Sequence, residues 1–394
     1  MSYHIATRPL SRLPLPLLAA LAATALVGAA AQAQYAQTNL VSNIPGRAAF
    51  TDPDLQNPWG VSFGNTSPYW ISDNGTGLST LYNGLGVKSA LVVSIPLPTG
   101  GLSAPTGQVF NNASAFQLSN GSNASFLFAT EQGTIAGWNG AAGSTALTMI
   151  DNSNTSSYKG LAIAGSGASA RLYAANFRTG TVDVWDGSFN PIAGGFMDPL
   201  LPSGYAPFNV QNVGGNIVVT YAVVDPGSGD DVAGPGNGIV DVYDTNGNLV
   251  RRLSSGGALN SPWGLALAPS GFGPFGNALL VGNFGDGTIN AYDFFTGAML
   301  GTLTDGTGSP IVNDGLWALA FGNHSATSDP NSLYITAGLN DEADGLFARI
   351  SVTPEPGSLV LMATGLLGVV LVGTKRRTRA HLPTSGSRAG ISPP

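Results

Sequence analysis

The chain has 394 residues, of which 43% are hydrophobic and only 9% charged, and it contains no cysteine. Soluble proteins usually carry roughly a quarter charged residues, and the missing cysteine excludes disulfides, thiol catalysis and thiolate metal sites together. Between Gln34 and Thr353 eight basic residues face twenty-one acidic ones, a balance of −13 with no Lys/Arg cluster. Nucleic acid is thereby excluded as a partner, because its binding needs clustered cations to displace phosphate counterions.

At the N-terminus, residues 1–33 read as a cleavable signal peptide. Arg8 and Arg12 precede an apolar run from Leu13 to Ala30, and Ala31-Gln32-Ala33 supplies the small-x-small pattern of a cleavage site. The mature chain is expected to start at Gln34.

Residues 34–353 repeat. One element is a short strand ending in an aromatic residue and then Asp or Asn: Leu81-Tyr82-Asn83, Gly137-Trp138-Asn139, Val184-Trp185-Asp186, Val242-Tyr243-Asp244 and Ala291-Tyr292-Asp293, with a degenerate sixth copy at Gly345 to Ile350. An apolar strand precedes each, such as Trp70 to Asp73 or Leu279 to Gly282, joined by turns like Asp73-Asn74-Gly75-Thr76-Gly77. Gly and Asn tolerate the positive φ of tight hairpins, so these links read as hairpin turns. A third element opens each unit: Asn57-Pro58-Trp59-Gly60, Ala104-Pro105-Thr106-Gly107, Tyr158-Lys159-Gly160, Ala206-Pro207-Phe208-Asn209, Ser261-Pro262-Trp263-Gly264 and Leu316-Trp317-Ala318. Small residues follow it, as an innermost strand crowded around an axis requires.

With an outer strand such as Ala90 to Ile95 or Ala298 to Leu303, each unit makes a four-stranded blade. Six units of near-equal length predict an all-β fold, a six-bladed β-propeller; a pair of β-sandwiches would not produce one recurring three-part pattern. The sixth unit has no room for its own outer strand. Tyr35 to Ile44 is expected to fill that place by pairing around Gly345 to Ile350, which would close the ring and remove an exposed edge.

After the body, Pro354-Glu355-Pro356 leads into an uncharged apolar run, Gly357 to Thr374, and then Lys375-Arg376-Arg377. The run is just long enough to span a bilayer as a helix, with the basic cluster on the cytoplasmic side. In their order these parts resemble the PEP-CTERM sorting tail. The resemblance assigns residues 354–377 to a sorting and membrane segment, leaves 378–394 as a short polar tail, and names Pro354, Glu355, Pro356, Lys375, Arg376 and Arg377 as the sorting motif. It implies an exosortase as partner and a Gram-negative bacterium that makes extracellular polysaccharide. The protein would then be held transiently in the inner membrane before reaching the periplasm, outer surface or extracellular matrix. As a whole the chain is similar to PEP-CTERM-tailed propellers of unknown function and, more loosely through its Pro-Trp-Gly starts, to NHL-type six-bladed propellers.

Candidate chemistry is sparse. Propeller lactonases keep a metal-binding Glu in the opening strand of the first blade, whereas the only body glutamates here are Glu131 and Glu342, so no catalytic residue is assigned. His324 falls in a surface-loop sequence. The metal candidates are Asp225, Asp230 and Asp231, oxygen ligands suited to Ca²⁺ in a Gly-rich loop; Asp341-Glu342-Ala343-Asp344 has the same chemistry. Otherwise no cofactor is expected. Trp59, Trp263 and Trp317 read as blade-packing anchors or as a stacking surface for sugar. Two function classes follow. One is an exported binding or scaffold module that docks exopolysaccharide or envelope proteins; the other is a Ca²⁺-dependent hydrolase or lactonase at the channel.

Overall fold

The computed structural model describes residues 34–353 and Gly390; the leader, the sorting segment and the sorting-motif residues Pro354 to Pro356 and Lys375 to Arg377 lie outside the described residues. Six separate sheets follow one another along the chain, five of four strands and one of five. Their innermost strands are Pro58–Ser62, Pro105–Phe110, Tyr158–Ala164, Tyr205–Val213, Pro262–Leu267 and Leu316–Phe321. Each packs against the next, and the last packs against the first. This is a six-bladed β-propeller.

The opening motif has a definite structural meaning. Every innermost strand slips register at it, between Pro58 and Val61, Pro105 and Gln108, Tyr158 and Leu161, Pro207 and Asn209, Pro262 and Gly264, and Leu316 and Leu319. Such bulges bend the strand and re-aim a side chain. The glycine that follows is required by close approach. A Cβ on Gly107 would stand 2.4 Å from the Leu161 nitrogen, and one on Gly160 would stand 2.0 Å from Asn209 Oδ1. Neighbouring blades therefore meet backbone to backbone at the axis.

The ring closes as the sequence predicts, with altered bounds. Gln34–Ser42 pairs antiparallel with Asp344–Thr353, from Gln34 opposite Thr353 to Ser42 opposite Leu346. The strand thus begins one residue earlier than Tyr35 and ends before Ile44. A two-residue strand, Phe50–Thr51, adds a fifth member in parallel outside it, which sequence reasoning did not anticipate. Tyr35 anchors the closure on the preceding blade: its hydroxyl donates to the Phe272 carbonyl at 3.0 Å, and its ring lies 4.7 Å from that of Phe272. Outer strands are shorter than expected. Only Val93–Ser94 pairs within Ala90 to Ile95, and Met299–Thr302 within Ala298 to Leu303. Beyond these short strands the buried Ile95 and Leu303 still tie back to the blade, their amides donating to the Gly77 and Ile289 carbonyls at 2.9 Å each.

Candidate functional site

The six bulges place Trp59, Thr106, Lys159, Phe208, Trp263 and Trp317 at equivalent positions in the ring. The aromatic members form a plug. The Trp317 ring stacks 3.5 Å from Trp59 and 4.2 Å from Phe284, with Trp263 at 5.6 Å and Phe208 at 5.8 Å. Its Nε1 donates to Asn57 Oδ1 at 3.1 Å. Trp59, Trp263 and Trp317 are 2%, 4% and 1% exposed, so their faces are spent on one another. Of the two roles considered for these tryptophans, the packing role is the one the geometry gives.

On one side of the plug lies a cavity of about 460 Å³ bounded by the innermost strands of all six blades, with Trp263 among its walls. No charged residue lines it. Its polar groups are Ser62, Gln108, Asn209, Gln211 and Asn212, and Phe63, Phe110 and Phe321 add rings. Gln108 and Asn209 are held in place by the blades. The Gln108 amide donates to the Gly60 carbonyl at 3.0 Å and also to the Trp70 carbonyl, and Asn209 donates to the Trp263 carbonyl at 2.6 Å. Ser62 Oγ and Gln108 Oε1 have no partner. Buried polar atoms rarely stay unpaired, so these two mark where a hydroxyl or amide of a ligand would be welcome.

Around the opposite side of the plug stand charged groups. Lys159, 5% exposed, takes the ring position that is aromatic in four other blades. Its ammonium lies 5.0 Å from the Trp59 ring centroid and 2.5 Å from Glu131 Oε1, while Asn74 donates to Glu131 Oε2 at 3.2 Å. Glu342 and Asp231 join them, each with one buried oxygen, Oε1 and Oδ2, that has no partner. Glu342 ends a run of three residues, Asn340, Asp341 and Glu342, with φ of 55°, 52° and 65°. Left-handed backbone disfavours residues with a Cβ by about 1–2 kcal/mol each, so the surrounding structure must hold this turn in place.

Burial pushes the Glu342 carboxyl up to about 7, helped by the neighbouring charge of Glu131 and opposed by Lys159. Burial also raises Asp231. In the fourth blade, which also carries Asp231, burial pushes Asp241 up to about 7, although Arg252 Nε lies 3.1 Å from its Oδ1. A carboxyl whose folded pKa exceeds its unfolded one contributes stability that is complete below the unfolded pKa and is lost as pH rises through the folded one. The midpoint of urea unfolding should therefore fall between pH 5 and pH 8, and Glu342→Gln should flatten part of that slope. A midpoint that rises over the same interval would contradict this electrostatic picture.

The predicted metal ligands separate. Asp225 Oδ1 accepts from the Gly227 amide at 2.7 Å within its own turn, Asp230 is exposed, and only Asp231 belongs to the axial cluster. Among the described residues no three acidic or His side chains stand close enough to hold a metal ion. His324 is exposed, its backbone amide bonded to the Asn65 carbonyl at 3.0 Å. Sequence reasoning gave Glu131 and Lys159 no role and named Glu342 only as a member of the second acidic loop, a Ca²⁺-type candidate. The available signal was positional: Tyr158-Lys159-Gly160 puts a cation in the slot of Pro-Trp-Gly, and both glutamates fall in the turn after a unit's second strand.

The chain is 34% identical over 327 residues to the uncharacterized protein R648 of Acanthamoeba polyphaga mimivirus, covering 79% of this chain and 78% of that protein. It is also 34% identical over 326 residues to the uncharacterized protein L690 of the same virus, covering 79% and 84%. The chain belongs to this family. Residues 352–377 match the PEP-CTERM protein-sorting motif, which marks this member for export, exosortase-mediated sorting and transient membrane anchoring. Solved structures share the fold at low identity. A protein of unknown function from Bacteroides thetaiotaomicron has a TM-score of 0.51 at 10% identity, covering 81% of this chain and 77% of that one. The Penicillium chrysogenum alpha-L-arabinanase complexed with arabinobiose has a TM-score of 0.50 at 10% identity, covering 80% and 97%.

Proposed function

We propose that this exported propeller is a binding module of the Gram-negative cell envelope or extracellular polysaccharide matrix, and that its axial cavity takes an uncharged saccharide segment. The lining of the cavity supports this reading: it is free of charge, offers amides and hydroxyls, and carries phenylalanine rings on which sugar C–H faces can pack. The unpartnered Ser62 and Gln108 oxygens add specific acceptors. Because the aromatic plug fills the axis, the cavity suits a chain end or a side branch and not a threaded polymer.

The test is calorimetric titration of the purified chain with neutral oligosaccharides cut from the native exopolysaccharide. Saturable binding is expected, weakened about tenfold by Ser62→Val or Gln211→Leu, the order of one or two lost hydrogen bonds. No binding to any neutral fragment would end this reading. Release of new reducing ends in the presence of Ca²⁺ would instead support the second function class, a Ca²⁺-dependent hydrolase.

A further inference from the structure

A chain of hydrogen bonds runs from the aromatic plug to Lys159, and its direction is fixed at both ends. Trp317 Nε1 can only donate, so the Asn57 atom that it meets at 3.1 Å is Oδ1, and the Asn57 amide nitrogen donates onward to Asn74 Oδ1 at 3.3 Å. Asn74 Nδ2 in turn donates to Glu131 Oε2 at 3.2 Å. From the other end the Lys159 ammonium, also only a donor, sits 2.5 Å from Glu131 Oε1. One carboxylate therefore holds an amine on one oxygen and a carboxamide on the other. Lys159 is 5% exposed, with the Trp59 ring centroid 5.0 Å from its nitrogen. The turn that carries the carboxamide is pinned as well: the Asn74 and Gly75 backbone amides donate to the Asn57 and Gln56 carbonyls at 3.1 Å each.

We propose that Lys159 and Asn74 are the two halves of an intramolecular isopeptide bond, formed after folding with Glu131 as its catalytic acid and base. Glu131 Oε1 takes a proton from the Lys159 ammonium, and the freed amine attacks Asn74 Cγ. Negative charge develops on Asn74 Oδ1, to which the Asn57 amide already donates. Glu131 passes its proton to Nδ2, the Cγ–Nδ2 bond breaks with the electron pair on nitrogen, and ammonia leaves. The attacking nitrogen loses a second proton through Glu131 to the ammonia, so ammonium is the by-product and the carboxylate is regenerated. An ammonium and a primary amide thus become a secondary amide, with no change of oxidation state. Holding both reactants on one carboxylate supplies the proximity that an unactivated amide needs. The bond would tie the first blade to the third. In a chain without cysteine it would act as a disulfide does, by restricting the unfolded state.

The bond does not depend on what the cavity binds, so the two readings can fail independently. The test is tryptic digestion of the denatured full chain, read by mass spectrometry. A linked chain resists cleavage after Lys159, so peptide 89–171 is expected joined to peptide 48–88. The pair should be lighter than the sum of its parts by one ammonia, about 17 Da, and fragmentation should place the branch between Lys159 and Asn74. Lys159→Arg should give separate peptides, and Glu131→Gln should lower the linked fraction by about tenfold or more. If either variant fails to fold, the wild-type peptides still carry the test. Wild-type protein that yields only free 48–88 and is fully cut after Lys159 would overturn the proposal. So would a linked fraction unchanged in Glu131→Gln. A deficit of about 17 Da that persists in Lys159→Arg or disappears in mild base would also overturn it, since that marks a succinimide at Asn74-Gly75. A deficit of about 18 Da confined to peptide 89–171 would do the same, because it marks water lost between Lys159 and Glu131.

Discussion

Removal of Gln34–Ser42 is expected to leave the propeller largely unfolded at 37 °C and prone to aggregate. The strand contributes a ladder running from Gln34 opposite Thr353 to Ser42 opposite Leu346. It also buries Tyr35, Leu40 and Val41, at 2%, 4% and 0% exposure. Loss of one buried aromatic side chain costs about 3–5 kcal/mol, and domains hold only about 5–15 kcal/mol in reserve. Deleting the strand would also bare the edge of Asp344–Thr353, a template for pairing with other chains. Tyr35→Ala isolates the anchor. It should lower unfolding free energy by about 3–5 kcal/mol, while Phe295→Ala, at an 83% exposed position, should change it by less than about 0.5 kcal/mol. Thermal melts and light scattering read both effects. A deletion variant that melts like the full chain would show that the ring does not depend on this closure.

The architecture was legible because its determinants are local and repeated. Alternation, hairpin turns and a related opening motif, Pro-Trp-Gly in full at Pro58 and Pro262, recur from unit to unit, so an error in one unit is corrected by the others. Ring closure was legible by subtraction, since the last unit lacked an outer strand and Gln34–Ser42 lacked a partner. Phe50–Thr51 was not: two residues give no periodicity, and their pairing is decided by where the closing strand lies.

The site was harder to read. Glu131, Lys159, Asp231 and Glu342 come from four different blades and meet only because the ring brings their turns to one axis. Linear spacing carries no trace of that. The acidic loop misled for the converse reason, since Asp225 and Asp231 are near in sequence but turn to different surroundings. What sequence does hold is the repeat register, in which Lys159 is the one cation at a ring position otherwise given to Trp, Phe and Thr.

That register also identifies the residue on which the axis depends. Trp317→Ala should be among the most destabilising single substitutions in the chain, at about 3–5 kcal/mol for a buried tryptophan. Trp317 touches Trp59, Trp263, Phe208 and Phe284 at once, and these come from blades one, four and five, so the void left behind cannot be filled by one neighbour's shift. The substitution also strips Asn57 of its indole donor. Asn57 has φ of 43° and is 5% exposed, so its Oδ1 would be left buried and unpaired. Trp317→Phe separates the two contributions, because it keeps a ring but loses the N–H. Its cost should be smaller, about 1–3 kcal/mol for an unsatisfied buried acceptor plus the lost ring area. For a body of this size each kcal/mol corresponds to about 2 °C of melting temperature, so the alanine variant should melt several degrees below the phenylalanine one. It should also lose near-ultraviolet circular dichroism from the stacked indoles. If the two variants melted together, the plug would not act as a packed unit, and the closed axis on which the saccharide reading relies would lose its support.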